Sequence, residues 1–268
     1  MKDDDALREY ANAILADFRL ALVFLTSIPG TAFGQATDQP PDFRRGARVF
    51  PLVGALIGAA GGLVIIVGGA LGLPASIAAV LAVTGTVLLT GALHEDGLAD
   101  TADGFGGGGT AQRKLEIMDD SRIGSFGTVA LVLSLILRVL AIAAIVPAGG
   151  FRAAAALIAA EAASRGAVVR LWHELPTARP SGVADGAGPP DERAMLFALV
   201  SAALIVAIIV IPAFGIWAAL VGTFILIATA FGFMRLSAHQ IGGQTGDTLG
   251  ACQQCTAIAF LVAIVPFA

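Results

Sequence analysis

The chain has 268 residues, of which 57% are hydrophobic and 13% are charged. A soluble domain carries about 25% charged residues, so this composition indicates an integral membrane protein. The net charge of −4 excludes the basic surface that nucleic-acid binding requires, and two cysteines imply no disulfide framework.

The first predicted element is an amphipathic helix over residues 6–28. Asp17 and Arg19 interrupt its apolar stretch, which ends at Pro29. Because charged side chains are costly at the centre of a bilayer, this pattern favours a helix lying in the membrane interface. A shallow span is the alternative.

The apolar segments that follow are each long enough to cross a bilayer, which takes about 20 helical residues. They are rich in Ala, Leu, Ile and Val and show no period-2 alternation, which argues against barrel strands. The sequence therefore predicts an all-α fold: a polytopic membrane helix bundle of about seven transmembrane helices, in one domain over residues 1–268. The predicted spans are residues 49–70, 75–94, 127–147, 152–173, 194–212, 214–234 and 249–267.

The connections between these spans predict which helix ends share a side. Three connections are short and uncharged, whereas four are longer and contain most of the arginines. Alternation along seven spans puts the long connections on one side, which the positive-inside rule assigns to the cytoplasm. The long connections are residues 30–48, 95–126, 174–193 and 235–248.

A group of acidic residues follows the second predicted span. If the helix continues, Asp96, Asp100 and Asp103 fall at i, i+4 and i+7 on an arc of about 60°, whereas His94 and Glu95 point elsewhere. Such close like charges repel one another. Mg²⁺ would offset this repulsion, because it prefers oxygen ligands and bridges carboxylates to substrate phosphates. The sequence thus predicts a magnesium site; a solvated loop is the alternative.

Basic residues return directly afterwards, in RKLEIMDDSRIGSFG. Arginine and lysine bind the phosphate oxygens that a metal leaves free. Arg113, Asp120 and Arg122 are therefore candidate substrate-binding residues. For the two arginines, the alternative is anchoring of the loop at the cytoplasmic face.

A glycine-rich segment, GGQTGDTLGA, precedes the last predicted span. Glycines let a backbone approach phosphate more closely than side chains would permit. Gly243 and Gly246 are therefore candidate substrate-binding residues, and Asp247, like Asp103 of the acidic segment, is a candidate catalytic acceptor of a proton. A simple glycine-rich turn is the alternative.

These motifs resemble a known family. HEDGLADTADGFGG, followed by LEIMDDSRIGSFG, is similar to the signature of the cobalamin synthase family, the adenosylcobinamide-GDP ribazoletransferases. The blocks FLTSIP and FPLVGALIG resemble the family's opening, SRGAVV and ARPSGV its middle, and GGQTGDTLGA its end. The resemblance thus extends over most of the chain.

The resemblance implies a membrane enzyme that joins adenosylcobinamide-GDP to α-ribazole, or to its 5′-phosphate, and releases GMP. It implies Mg²⁺ as cofactor and the bacterial inner membrane as location, with the active site facing the cytoplasm. Arg165 and Arg179 lie in matching blocks and are expected to hold phosphates; for Arg165 the alternative is a structural pair with Glu161, one helical turn away. A homo-oligomer is compatible with the sequence. The expected catalytic residues are Asp96, Asp100, Asp103 and Asp247.

Two positions depart from the family pattern. The family commonly has an apolar residue in place of Glu95 and a basic one in place of Asp119, so neither acid is predicted to be catalytic. Within the predicted spans, Arg138 is expected to pair with Glu161 or to extend toward the membrane boundary, and Trp172 fits an aromatic belt at such a boundary.

Two other classes of protein remain as alternatives. A CDP-alcohol phosphotransferase also carries aspartates near the cytoplasmic face, but DGLAD lacks the arginine of that class's motif. A cation transporter would distribute acids through several spans, whereas here only Glu161 lies clearly within one.

Overall fold

A computed structural model describes residues 2–33, 42–179 and 188–268. The predicted all-α fold is confirmed, because the described residues form helices and 3-10 turns, with one isolated bridge between Thr177 and Gln244. Parts of the long connections predicted at 30–48 and 174–193 lie outside the described residues. In chain order the α-helices are α1 (Lys2–Leu25), α2 (Phe43–Gly46), α3 (Phe50–Ala70), α4 (Ala75–Thr90), α5 (Leu93–Gly107), α6 (Ala111–Met118), α7 (Ser125–Ile145), α8 (Gly150–Glu174), α9 (Glu192–Phe214), α10 (Ile216–Ile241) and α11 (Gly246–Ile264).

Helix α1 corresponds to the predicted N-terminal amphipathic helix. Asp17 is buried and pairs with Arg48 at 2.7 Å and with Arg45 at 3.3 Å. The charge that interrupts the apolar stretch is therefore balanced inside the protein. Helix α1 is not among the helices apolar enough to span a membrane, and its position in the interface stays a prediction.

Five helical segments in the described part of the chain are long and apolar enough to cross a membrane. They coincide with five of the predicted spans. A sixth exists if α4 and α5 are counted as one broken span. Helix α8 is long enough but carries four charged side chains before its last residue, so the predicted total of seven is not confirmed. The five segments are Phe43–Ala70, Ser125–Ala148, Glu192–Phe214, Ile216–Ile241 and Gly246–Phe267.

The predicted span 75–94 is not one straight helix, because α4 and α5 meet at 88°. Gly91 and Ala92, with φ of 61° and 58°, adopt the left-handed conformation that breaks the helix. The backbone N–H of Ser27 donates to the carbonyl oxygen of Leu89 at 2.7 Å and so satisfies a helix end that the break exposes. This corrects the predicted bounds of the second span and makes the acidic segment a separate helix.

Helix α8 lies at the centre of the bundle, between α3, α9 and α11. Nearly every residue from Ala153 to Trp172 is buried. Glycines spaced four apart on α3 allow its backbone to touch α8, as small residues do in membrane bundles. A methyl group added at Gly58 would lie 2.6 Å from Cα of Ile158. The helices are therefore in direct backbone contact.

The four long connections meet at one end of the bundle, as the sequence predicts. The backbone N–H of Asp191 donates to the carbonyl of Arg44 at 2.8 Å, which joins the third connection to the first. Arg179 pairs with Asp119 at 2.8 Å, which joins the third to the second. The backbone of Gln244 forms hydrogen bonds with Pro176 and Ala178, which joins the fourth connection to the third. The candidate site residues are therefore concentrated at this end.

Candidate active site

The acidic helix α5 packs directly against the start of α11. A methyl group added at Gly97 would lie 2.7 Å from the carbonyl oxygen of Asp247, and one added at Gly250 would lie 3.3 Å from Cα of His94. Only residues without a Cβ permit two backbones to come so close. The glycines of HEDGLAD and GDTLGA are therefore the reason that Asp247 lies beside α5.

This packing assembles Asp96, Asp100 and Asp247 into one group, which we call the acid cluster. Asp96 is exposed and the other two are partly buried. The negative charges of Asp96, Asp247 and Asp103 act on Asp100, and the positive charge of Arg179 opposes them. The guanidinium of Arg179 lies 3.9 Å from Asp247 and 2.8 Å from Asp119. One arginine thus faces several carboxylates, and the site has an excess of negative charge.

Asp103 has a role that the sequence did not predict. Its two carboxylate oxygens accept hydrogen bonds from the backbone N–H groups of Gly124, at 2.6 Å, and Gly127, at 2.9 Å. These groups belong to the first turn of α7, whose N–H donors have no partner within the helix. Asp103 therefore caps α7, and these two hydrogen bonds compete with its predicted role as a metal ligand, although it lies on the same helix as Asp96 and Asp100.

The acid cluster fits a magnesium ion that shares its ligands with a substrate. Within the described ranges no three His, Cys, Asp or Glu side chains converge closely enough to enclose a metal ion. Mg²⁺ does not need such a cage, because it keeps several waters and is commonly held by one or two carboxylates together with substrate phosphates. Asp96 and Asp100 supply oxygen donors of the required type, in a site with uncompensated negative charge.

The two candidate glycines of the last motif differ. Gly246 opens α11, and a methyl group added there would meet nothing within 4 Å. It thus leaves the space that approach of a ligand requires. Gly243 instead packs against the backbone of Pro176, to which the neighbouring Gln244 N–H donates at 2.9 Å. Gly243 thereby positions Arg179 through the adjoining segment and is not open to a ligand.

Three other candidates lie away from the acid cluster. Arg113, Asp120 and Arg122 line a separate surface cavity of about 200 Å³ that adjoins Asp103. Arg122 donates hydrogen bonds from its guanidinium and from its backbone N–H to Asp120, which lower the pKa of that carboxyl to about 2. Arg113 pairs with Glu116 at 2.9 Å. Both ion pairs lie at this separate cavity, whose lining contains none of the aspartates of the acid cluster.

Arg165 is buried in the helix bundle and does not face the acid cluster. Its guanidinium pairs with Glu161 one turn away. The predicted contact between Arg138 and Glu161 is present at 3.5 Å, and Arg138 lies closer still, at 2.6 Å, to Glu95. The sequence analysis did not predict that Glu95 pairs with Arg138. The available signal was that each is a charged residue in or next to an apolar segment. Arg165 therefore belongs to an internal ion network, and the structure does not place it at the acid cluster as the expected phosphate ligand.

A cavity of about 210 Å³ adjoins the acid cluster. We call it the aromatic cavity, because Phe24, Phe50 and Trp172 form part of its wall; Asp96 and Asp247 line it too. Trp172 is only 2% exposed and packs between Phe43 and Phe50. It therefore does not form the predicted membrane belt. The remaining lining residues are Leu25, Leu93, His94, Gly97, Val168, Gly246, Leu249 and Gly250.

Comparison with known proteins gives one consistent result. The family model described as cobalamin-5-phosphate synthase matches residues 17–265. An adenosylcobinamide-GDP ribazoletransferase of Azorhizobium caulinodans is 49% identical over 95% of this chain and 97% of its own length. The protein of the same name from Brucella ovis is 41% identical over 95% of this chain and 98% of its own. No solved structure matches. The resemblance seen in the motifs is confirmed, and the chain belongs to the cobalamin-5-phosphate synthase family.

Proposed function

We propose that the chain joins adenosylcobinamide-GDP to α-ribazole, or to its 5′-phosphate, and releases GMP. Relatives that carry the name of this activity match nearly the whole chain. The observation that carries the proposal is the contact of α5 with α11, which builds the acid cluster beside Arg179. Carboxylates that hold a metal, next to an arginine, suit a pyrophosphate substrate.

The reaction is a phosphodiester exchange. A ribose hydroxyl of α-ribazole attacks the phosphorus that is joined to cobinamide, and a new P–O bond forms. The bond from this phosphorus to the bridging oxygen breaks, and that oxygen leaves with GMP. The hydroxyl proton passes to a carboxylate. We assign this role to Asp247, because the oxygens of the other candidate, Asp103, already accept two backbone N–H groups.

Asp96 and Asp100 are the residues that we propose to hold Mg²⁺ on the pyrophosphate. When bound, the ion neutralises the charge that develops on the departing GMP. The guanidinium of Arg179, which pairs with Asp119 in the structure, binds a phosphate oxygen of the substrate instead. Gly246 leaves its side of the site open, so a phosphate approaches the start of α11, where backbone N–H groups favour anions.

We further propose that this site faces the cytoplasm of a bacterial cell, at the inner membrane. The long apolar helices support a membrane location. The arginine-rich connections gather at the same end of the bundle as the acid cluster, and such connections are retained in the cytoplasm.

The proposal is tested with the full chain purified in detergent. GMP release from adenosylcobinamide-GDP and α-ribazole is measured while Mg²⁺ is varied, for wild type, Asp96→Ala and Asp100→Ala. We expect Mg²⁺-dependent release by wild type and a large loss in both variants, but not in Glu174→Ala, which alters an exposed ion pair. Wild-type turnover in both aspartate variants would contradict the proposal that Asp96 and Asp100 hold Mg²⁺. CMP release from a CDP-alcohol, or ion flux in liposomes without GMP release, would contradict the proposed activity.

A further inference from the structure

We propose that the aromatic cavity binds the benzimidazole base of α-ribazole. This inference rests on the proposed function and adds to it where the acceptor substrate is held. The wall of the cavity comes from the ends of five elements that meet beside the acid cluster: α1, α3, α5, α8 and α11. The cavity is therefore a feature of the assembled bundle and not of one motif.

The position of the cavity fits the acceptor. Asp96 and Asp247 belong both to its lining and to the acid cluster. A base held against the faces that Phe50 and Trp172 present to the cavity leaves the attached ribose at these carboxylates. The attacking hydroxyl is then next to Asp247, which takes its proton in the proposed reaction, and next to the phosphates.

The size of the cavity fits a bicyclic ring. An apolar cavity of about 150 Å³ holds benzene in another protein. The aromatic cavity, at about 210 Å³, leaves room for a fused second ring and methyl groups. A corrin ring is far too large for this volume, so the other substrate must place its macrocycle outside.

The polarity of the cavity separates the base of α-ribazole from guanine. The walls formed by Leu25, Phe50, Val168 and Leu249 offer no hydrogen-bond partners from their side chains. The polar side chains of the lining are His94, Trp172 and the two aspartates that already belong to the acid cluster. A guanine packed against the apolar walls would therefore leave several donors and acceptors without partners, which is costly. The benzimidazole of α-ribazole has one ring nitrogen not bonded to ribose, and this nitrogen accepts a single hydrogen bond.

A donor for that nitrogen is present in the wall. The indole N–H of Trp172 is buried and has no hydrogen-bond partner among the described residues. Buried polar groups nearly always have one, so an unpaired N–H on a residue that lines a cavity indicates a missing acceptor. We assign this N–H to the free ring nitrogen of the base.

The kinetic test uses a substitution that fills the cavity with a larger side chain. We expect Val168→Phe to raise KM for α-ribazole on the order of tenfold or more, with KM for adenosylcobinamide-GDP unchanged. Trp172→Phe keeps the ring and removes only the N–H, so it should raise the same KM with less risk to folding. The matched control is Ala203→Phe, which adds the same ring to a different cavity, between α8, α9 and α10. An unchanged KM for α-ribazole in both cavity variants overturns the inference.

A binding test uses the two tryptophans. Trp217 is exposed on α10, so Trp217→Phe leaves Trp172 as the sole tryptophan of the chain. We expect α-ribazole to change the fluorescence of Trp172 saturably, and guanosine to have no such effect. A response to guanosine alone would assign the cavity to the other substrate and overturn the inference.

The two proposals fail in different ways. If wild type releases no GMP from adenosylcobinamide-GDP and α-ribazole, the proposed function fails. If wild type releases GMP normally but Trp172 does not respond at α-ribazole concentrations that saturate turnover, only the assignment of the cavity fails.

Discussion

The guanidinium of Arg138 lies 2.6 Å from Oε1 of Glu95 and 3.5 Å from Oε1 of Glu161, in the interior of the helix bundle. Glu161 also pairs with Arg165, so two acids and two arginines form a buried group without net charge. Because Glu95 directly precedes Asp96, the group also fixes the rotation of α5 that turns Asp96 outward. These buried charges thus support the candidate site.

Breaking this group on one side should destabilise the protein. Arg138→Met leaves Glu95 buried without its cation, and the loss of one partner from a buried pair costs about 3–5 kcal/mol. The double variant Glu95→Leu/Arg138→Met should lose much less, because Glu161 and Arg165 still balance each other. Thermal unfolding in detergent measures both.

The control for this experiment is Arg170→Met. Arg170 pairs with Glu174 at 2.9 Å but both side chains are largely in solvent, where such a pair is worth about 0–1 kcal/mol. If Arg138→Met has as little effect as Arg170→Met, or if the double variant is no better than the single, the buried group does not have the importance that its geometry indicates.

Asp103→Ala should behave as the loss of a helix cap and not of a metal ligand. We expect a lower unfolding temperature, since removal of a capping side chain costs about 0.5–2 kcal/mol. The Mg²⁺ concentration for half-maximal GMP release should stay near that of wild type, whereas Asp96→Asn should raise it. A Mg²⁺ requirement that shifts equally in both variants would return Asp103 to the metal site.

Asp247→Asn should slow the chemical step. Removal of the proton acceptor is expected to lower kcat by about 100- to 10,000-fold, with little change in KM for either substrate. Single-turnover measurement of GMP release isolates this step. The isosteric amide also pairs with Thr245, which donates its hydroxyl to Asp247 at 3.3 Å, so folding should be retained. A change confined to KM would instead make Asp247 a binding residue.

Arg179 and Arg122 should differ as phosphate ligands. Arg179→Gln removes the cation next to the acid cluster, and we expect KM for adenosylcobinamide-GDP to rise roughly tenfold or more, as loss of a charged hydrogen bond implies. Arg122 is already paired with Asp120 in the separate cavity, so Arg122→Gln should leave that KM nearly unchanged. Initial rates at varied substrate distinguish the two, and equal effects would extend the substrate site to the second cavity.

A methyl group at Gly97 should separate α5 from α11. Gly97→Ala puts a Cβ 2.7 Å from the carbonyl of Asp247, a distance that forces the backbones apart, so we expect loss of GMP release. The control is Gly232→Ala on α10, where a Cβ meets nothing within 4 Å. That change should be neutral or stabilising, because alanine is the better helix former. Normal GMP release by Gly97→Ala would contradict the close contact.

Hydropathy predicted most of the helices, and their bounds are close to those observed for α3, α7, α8, α9 and α11, whereas α10 continues to Ile241, well beyond its predicted end at residue 234. It could not predict the break at Gly91, which depends on a hydrogen bond from the distant Ser27. It also could not reveal that α8 is enclosed by protein, since charge and burial in a bundle depend on neighbours.

Helical periodicity predicted which acids share an arc of α5, but not what each faces. Asp96 and Asp100 meet Asp247 of the last helix, whereas Asp103 meets the start of α7. Spacing along one helix is a local property, and the identity of the opposing helix is not. The family resemblance supplied the substrates, which neither periodicity nor packing identifies.

The contact between Gly97 and Asp247 has a consequence for biosynthesis. The two halves of the acid cluster are far apart in the sequence, because the first half lies on α5 and the second on α11. A nascent chain that folds from its N-terminus therefore inserts α3 to α10 before the reactive group exists. Chains truncated ahead of Gly246 should be inert toward corrinoid phosphates, so unfinished copies do no chemistry in the membrane.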